Sequence, residues 1–200
     1  MTLFGAMAGL ALGTLLAIGD LYGGRYVSSA ITIYVEFFRG SPLIIQLFIF
    51  YYTIPQLFNI LIDKFVIGFL IFSLNSAAYQ KGYMKGSIEV VSGDQMTAAL
   101  SIGLSKVQAI TNVILPQALR LVIPAWGNEF ASLTKSTAAL LAIGVLELTG
   151  VAQTIAGQTY RVLEAYAFVA MIYLVWVSVV MKISDNVFER VRIPGLEISA

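Results

Sequence analysis

The side chains best equipped for chemistry crowd into one otherwise apolar stretch: Asn128, Glu129, Ser132, Thr134, Lys135, Ser136 and Thr137. Two chemistries suit them. Ser132 or Ser136 beside Lys135 is the minimum set for a nucleophilic hydrolase of the Ser-Lys type. Alternatively, Asn128, Ser132 and Lys135 share one face of a helix at 3.6 residues per turn, and such a polar stripe lines a route for a polar solute. The wider composition favours the second reading. The chain holds no His and no Cys. It therefore lacks the usual neutral-pH acid/base group, thiol nucleophiles, disulfides and the commonest metal ligands. Hydroxyls near a lysine in an apolar helix are also explained by helix–helix hydrogen bonding. No catalytic set and no metal site emerges. Asn128, Ser132, Lys135, Ser136 and Thr137 are read as the substrate pathway. The competing structural reading puts Asn128 and Glu129 at the membrane interface, with Lys135 snorkelling or paired.

The elements that must carry this stripe are membrane helices. Of 200 residues, 58% are hydrophobic and 12% charged, where a soluble domain carries about a quarter charged residues. A net charge of +1 gives nucleic acid no purchase. The fold expected is all-α: one polytopic bundle over residues 1–200 with about five transmembrane helices, each needing roughly 20 apolar residues. The first runs from Met1 to Ile18 and ends at Asp20. No basic residue precedes it and no Ala-x-Ala site closes it, so it reads as a span rather than a signal peptide. The second, Val27 to Ile54, is interrupted by Arg39-Gly40-Ser41-Pro42, a stop-and-restart signal that predicts a bent or broken helix whose membrane half begins at Pro42. Pro55 and Asn59 mark a loop. The third runs from Phe65 to Ala78 or on to Tyr83, the fourth from Trp126 to Leu146, and the fifth from Tyr166 to Met181.

The basic residues orient these spans. With the N-terminus outside and the C-terminus inside, nine Lys and Arg fall on the inner side (Arg25, Arg39, Lys81, Lys85, Lys106, Arg120, Lys182, Arg190 and Arg192) and only Lys64 and Arg161 on the outer. That asymmetry follows the positive-inside rule.

The inner segment 83–124 is too polar for a simple turn. Ser92-Gly93-Asp94-Gln95 and Ser105-Lys106-Val107-Gln108 both have the form of a capping box. They predict two short helices: Gln95 to Ile102, ended by a left-handed Gly103, and a second limited by Pro116. Both could simply lie on the membrane surface. The small side chains Thr97, Ala98 and Ala99 beside the turn instead favour a docking element that another protein's groove approaches closely.

At these residues the sequence resembles a known family. Thr97-Ala98-Ala99, Gly103 and Val113-Ile114-Leu115-Pro116 match the order and spacing of the signature loop of ATP-binding cassette importer permeases: Glu-Ala-Ala, three residues, Gly, nine residues, Ile-x-Leu-Pro. Thr97 stands where Glu is usual. Tyr34 through Leu43, Leu115-Pro116-Gln117-Ala118 and Pro124 through Asn128 resemble the polar amino acid branch. Lys135-Ser136-Thr137-Ala138 stands where that branch usually has Lys-Asp-Thr-Ser.

The resemblance implies a type I importer (MetI-like) permease fold. Thr97, Ala98, Ala99, Gly103, Leu115 and Pro116 would form the loop that couples to a cytoplasmic ATPase subunit. The chain has no Gly-x-x-x-x-Gly-Lys-Ser/Thr phosphate loop, so ATP and magnesium would be held by that partner and no cofactor by this chain. A second permease copy or a similar permease, an extracytoplasmic solute-binding protein, membrane lipid and a polar amino acid substrate are the other partners implied. Lys81-Gly82 replaces a usual Ala-Glu. If Lys81 meets the ligand, it disfavours cationic amino acids; otherwise it is a lysine obeying the positive-inside bias. Relatives usually begin well before the position of Met1, with a longer first span. A secondary carrier driven by an ion gradient is the rival transport function. Such carriers commonly show paired repeats with broken helices, and no convincing repeat is visible.

Overall fold

Apolar runs this long leave the backbone one solution in lipid, the α-helix, in which every N–H and C=O is satisfied within the segment. The computed structural model describes residues 1–193 and contains helices and turns but no strand among them. The tail of the single domain read over 1–200 lies outside the described residues. The helices are α1 (Thr2–Tyr22), α2 (Gly24–Gly40), α3 (Leu43–Phe48), α4 (Ile54–Phe58), α5 (Lys64–Ser101), α6 (Lys106–Ala109), α7 (Leu115–Leu121), α8 (Ile123–Ser136), α9 (Leu148–Thr159) and α10 (Val162–Val191). Among the described residues, two helices, α1 and α10, suffice by length and apolarity to cross a membrane, and four do when Gly24–Gly40 with Leu43–Phe58 and Lys106–Leu121 with Ile123–Ile143 each count as one bent span. The expected third span, the first half of α5, falls outside that count because Ser73, Asn75, Ser76 and Gln80 interrupt it, and all four are buried.

The α1–α5 pair forms the most extensive contact of the bundle. Gly5, Gly9, Gly13 and Ala17 recur every fourth residue along α1 and are all buried. A Cβ on Gly13 would lie 2.9 Å from the Lys81 backbone nitrogen, and one on Gly9 2.7 Å from Ser76 Oγ. Small residues thus let the two backbones touch. Two apolar clusters flank this axis. One joins Ala6, Leu47, Ile71, Phe72, Leu133 and Leu140. The other joins Ala17, Met84, Ile88, Val91, Ile114 and Ala118.

Several expectations need correction. The Ser92 capping box does not form: α5 continues unbroken to Ser101, and Ser92 Oγ donates back to Glu89 O at 3.3 Å. Met84, Ile88 and Val91 lie on one face of α5 and bury against α6–α7 and the end of α1, and that packing overrides the local stop signal. Neither Pro55 nor Pro116 ends a helix. Each follows a π-helical turn, Ile49–Thr53 or Ile110–Ile114, in which the residue just before the proline bonds five residues back: Ile54 N–H to Ile49 O, and Leu115 N–H to Ile110 O. The wider turn accommodates the ring and its missing N–H. Between the fourth and fifth spans, α9 was not expected; its N-cap is Glu147, whose carboxylate accepts from the N–H groups of Thr149 and Gly150. α10 is also longer than the expected Tyr166–Met181. The broken second helix, the chain leaving helix at Asn59, the left-handed Gly103 and the Ser105 capping box agree with the sequence reading.

The glycine contacts predict opposite effects for one substitution. Gly13→Ala forces α1 off α5 and costs about 1–3 kcal/mol, the usual penalty of overpacking. Gly86→Ala, with open space at its Cβ position, is neutral or stabilising by about 0.5–1 kcal/mol. Thermal unfolding of the detergent-solubilised protein distinguishes the two; equal melting temperatures would refute the close-packing account.

Candidate functional site

The break between α2 and α3 creates the site. α2 ends at Gly40, Ser41 is extended (φ −110°, ψ 143°), and Pro42 caps α3. The carbonyls freed at this break are buried and need donors. Gln46 Nε2 donates to Phe38 O (2.9 Å) and Ser41 O (3.0 Å), and Asn75 Nδ2 donates to Phe38 O (3.0 Å) and to Gln46 Oε1 (3.1 Å). One amide from α3 and one from α5 thereby hold the chain end of α2 in place.

Beside the break lies a cavity of about 580 Å³, within the range of about 300–1,000 Å³ typical of small-ligand sites. α2 and the break contribute Arg39, Ser41 and Pro42; α5 contributes Asn75, Tyr79 and Tyr83; α8 contributes Asn128, Glu129, Ser132, Lys135 and Ser136. Arg39 stacks over the Tyr79 ring at 5.1 Å, and beyond this pair a smaller recess of about 350 Å³ opens along Val35 and Glu36. Glu129 is buried (6% exposed), with the cationic Arg39 and Lys135 on the same cavity wall. Such a wall offers a cationic contact for a carboxylate and an anionic one for an ammonium group.

Of the six pathway residues read from the sequence, Asn128, Ser132, Lys135 and Ser136 line this cavity. Thr137 does not. Its hydroxyl donates to Thr134 O (2.7 Å) and lies 3.4 Å from the Tyr173 hydroxyl, because the helix tightens to 3₁₀ from Thr137 onward and turns that side chain toward α10. Lys81 does not either. Its ammonium pairs with Asp20 at 2.7 Å, and Lys85 pairs with the same oxygen at 2.8 Å, while Ser28 donates to the other oxygen at 2.6 Å. That contact raises the Lys85 pKa above its ordinary value, chiefly through the hydrogen bond to Asp20. Arg39, Asn75, Tyr79 and Tyr83 were missed. The sequence places Arg39 at the helix break and among the inner-side cations, and Asn75 within a span, although an asparagine in a membrane helix already signals a polar contact.

The second candidate region is the turn after α5. Gly103, at φ +88°, closes a Schellman motif in which Leu104 N–H donates to Ala99 O (3.1 Å) and Gly103 N–H to Leu100 O (3.0 Å). Thr97 and Ala98 are exposed, as are Leu100, Ile102 and Val107. Ala99 is not: at 3% exposed it faces inward under the turn, so its small size serves packing and not outward contact. Pro116 is exposed and Leu115 half-buried.

Residues 9–193 match the family of the binding-protein-dependent transport system inner membrane component. This chain belongs to that family. It is similar to PatM of Vibrio harveyi, a probable amino-acid ABC transporter permease, with 36% identity over 96% of this chain and 86% of the relative. It is similar also to GlnP of Escherichia coli, a glutamine transport system permease, with 32% identity over 96% and 89%. The crystal structure of an amino acid ABC transporter with histidines superposes with a TM-score of 0.85 at 31% identity, covering 95% of this chain and 88% of the other. An inward-facing structure of the MetNI methionine ABC transporter has a TM-score of 0.78 at 19% identity, over 96% and 89%, and shares the fold. The chain is thus an inner-membrane permease subunit of an amino acid ABC importer, a family in which the ATPase is a separate subunit and a binding protein takes part.

In this permease the Asp20 cluster has a structural task. The side chains of Asp20 and Lys81 are 5% and 13% exposed. Asp20→Asn is expected to cost about 3 kcal/mol, the low end for breaking a buried pair. The double variant with Lys81→Met loses less than the two single losses summed. Denaturation of the solubilised permease checks both, and strict additivity would show that the pair is not coupled.

Proposed function

We propose that this permease moves zwitterionic polar amino acids with neutral or acidic side chains through the cavity beside the α2–α3 break. The observation that carries the reading is the cavity lining, in which Glu129 is found together with the cationic Arg39 and Lys135. The α-carboxylate fits the Arg39–Lys135 side, the α-ammonium fits Glu129, and Asn128, Ser132 and Ser136 supply neutral hydrogen bonds. A cationic side chain would add a charge on the side already holding two. The exclusion of cationic substrates therefore rests on Arg39 and Lys135, while Lys81 is held by Asp20.

In this reading the N-terminus lies outside and the C-terminus inside, following the distribution of basic residues. The Thr97–Pro116 segment docks on a cytoplasmic ABC ATPase, which binds ATP and magnesium, since this chain carries no phosphate loop of its own. Thr97, Ala98, Leu100, Ile102 and Gly103 form the contact, and Ala99 keeps the turn closed. Thr97 cannot make the charged contact of the usual Glu, so shape and backbone hydrogen bonds carry the docking. A second permease copy or a similar permease completes the pathway, and an extracytoplasmic solute-binding protein delivers the substrate.

Uptake by the reconstituted importer tests the pathway. Glu129→Gln and Arg39→Gln each remove one charge-assisted hydrogen bond, about 1.5–3 kcal/mol, and are expected to lower uptake efficiency roughly 10- to 100-fold. Arginine carried better than glutamine or glutamate, or full uptake by both variants, would overturn it. The loop is tested by Gly103→Val, which forces a β-branched residue into the left-handed region. Substrate-stimulated ATP hydrolysis is expected to fall while the permease still folds, and unaltered stimulation would refute the docking assignment.

A further inference from the structure

α2 presents three faces. Ile31 and Phe38 are buried in the bundle, and the Tyr34 hydroxyl donates to Leu74 O at 2.6 Å. Arg25, Ser29, Thr32 and Glu36, spaced four, three and four residues apart, form an exposed polar row. Tyr26, Ala30, Ile33 and Phe37 repeat that spacing one position on and form an exposed apolar row, with Tyr26 at 91%, Ile33 at 72% and Phe37 at 46% exposure. In a helix standing across the bilayer, the polar row would lie in hydrocarbon beside the apolar one. In a helix lying along the membrane surface, both rows find their own medium: acyl chains below, headgroups and water to the side.

The chain path supports that placement independently. Gly24–Gly40 and Leu43–Phe58 meet at 105°, so when the second segment stands upright in the bilayer, α2 lies nearly flat. Its first turns are fixed by Ser28 on Asp20, which also binds Lys81 and Lys85 of α5. Lys106, just past the Gly103 turn, sits 4.9 Å over the Tyr22 ring at the end of α1. α2 therefore lies at the membrane edge nearest the loop. A second protein is a poor fit to the apolar row: one line of four side chains is far short of the ~800 Å² per partner of a stable protein interface.

We propose that α2 is an in-plane helix that binds the headgroup–acyl boundary of the leaflet on the loop side. Tyr26, Ala30, Ile33 and Phe37 dip among the acyl chains and Arg25 meets lipid phosphate. This surface holds the start of the α2–α3 break, and with it Arg39 at the cavity mouth, at a set depth in the bilayer.

The chain contains no cysteine, which makes the test direct. Single variants Tyr26→Cys, Ala30→Cys, Ile33→Cys and Phe37→Cys, and a second series Arg25→Cys, Ser29→Cys, Thr32→Cys and Glu36→Cys, are spin-labelled in the full importer. The partner subunits are cysteine-free and the complex sits in phospholipid nanodiscs. Electron paramagnetic resonance then compares relaxation by oxygen, enriched in lipid, with relaxation by a water-soluble nickel chelate. The expected result is one shallow, common depth for all four apolar-row labels and preferential nickel access for the polar row. A depth that increases steadily from position 26 to 37 would make α2 a crossing helix. Protection of the apolar row from both reagents would assign it to a protein partner. Either outcome overturns the proposal.

Discussion

The close approach of α1 and α5 is the contact on which the rest of this permease is built. In lipid, apolar side chains gain little by leaving one hydrocarbon environment for another, so helices associate through tight packing and polar contacts. Gly9 and Gly13 supply the packing by letting α1 meet the α5 backbone and side chains without intervening bulk. The polar contacts follow from it. Gln80 Nε2 reaches Ala6 O at 2.9 Å, and Asp20 at the far end of α1 pairs with Lys81 and Lys85, which lie about one turn apart on α5. With that axis fixed, the apolar clusters form on either side of it, one around Phe72 and the other around Met84.

Between the two clusters lies a belt of buried polar residues: Gln46, Asn75, Ser76, Gln80 and Glu129. Buried carbonyls freed at a helix break need donors from neighbouring side chains or water, and this belt supplies them. Gln46 and Asn75 occupy the carbonyls freed where α2 breaks, and the cavity opens against the same residues. Satisfied carbonyls and a polar-lined cavity thus arise from one defect in one helix. α5 extends the consequence. As a single helix from Lys64 to Ser101 it carries Asn75, Tyr79 and Tyr83 at the cavity and Thr97 to Ser101 at the turn, so the two regions are joined by continuous helix rather than by a hinge.

Much of this was legible in the residues. Apolar length and scarce charge dictated a helical membrane bundle, because a closed barrel needs alternating strands and continuous apolar runs satisfy their backbone in lipid as helices. The Arg39–Pro42 break, Gly103 and the Ser105 cap were visible because each depends on local backbone preference: proline's missing N–H, glycine's access to positive φ, a serine oxygen within reach of a free amide. The stripe Asn128, Ser132 and Lys135 was visible because helical periodicity needs no partner to define a face.

The tertiary structure decided what depended on neighbours. Ser92 has the local form of a helix start, yet Met84, Ile88 and Val91 bury across it and the helix runs on. Pro55 and Pro116 have the form of helix ends, yet a π turn before each absorbs the ring. Lys81 carries a charge that could meet a solute, yet the glycine contact of α1 brings Asp20 to it first. Arg39 and Glu129 lie ninety residues apart in the chain, and only the fold sets them on one wall. Sequence alone determined the medium, the helices and their local breaks, since those follow from each residue's own chemistry. Which polar groups face each other, and which are left facing an empty space, was decided by packing at a distance.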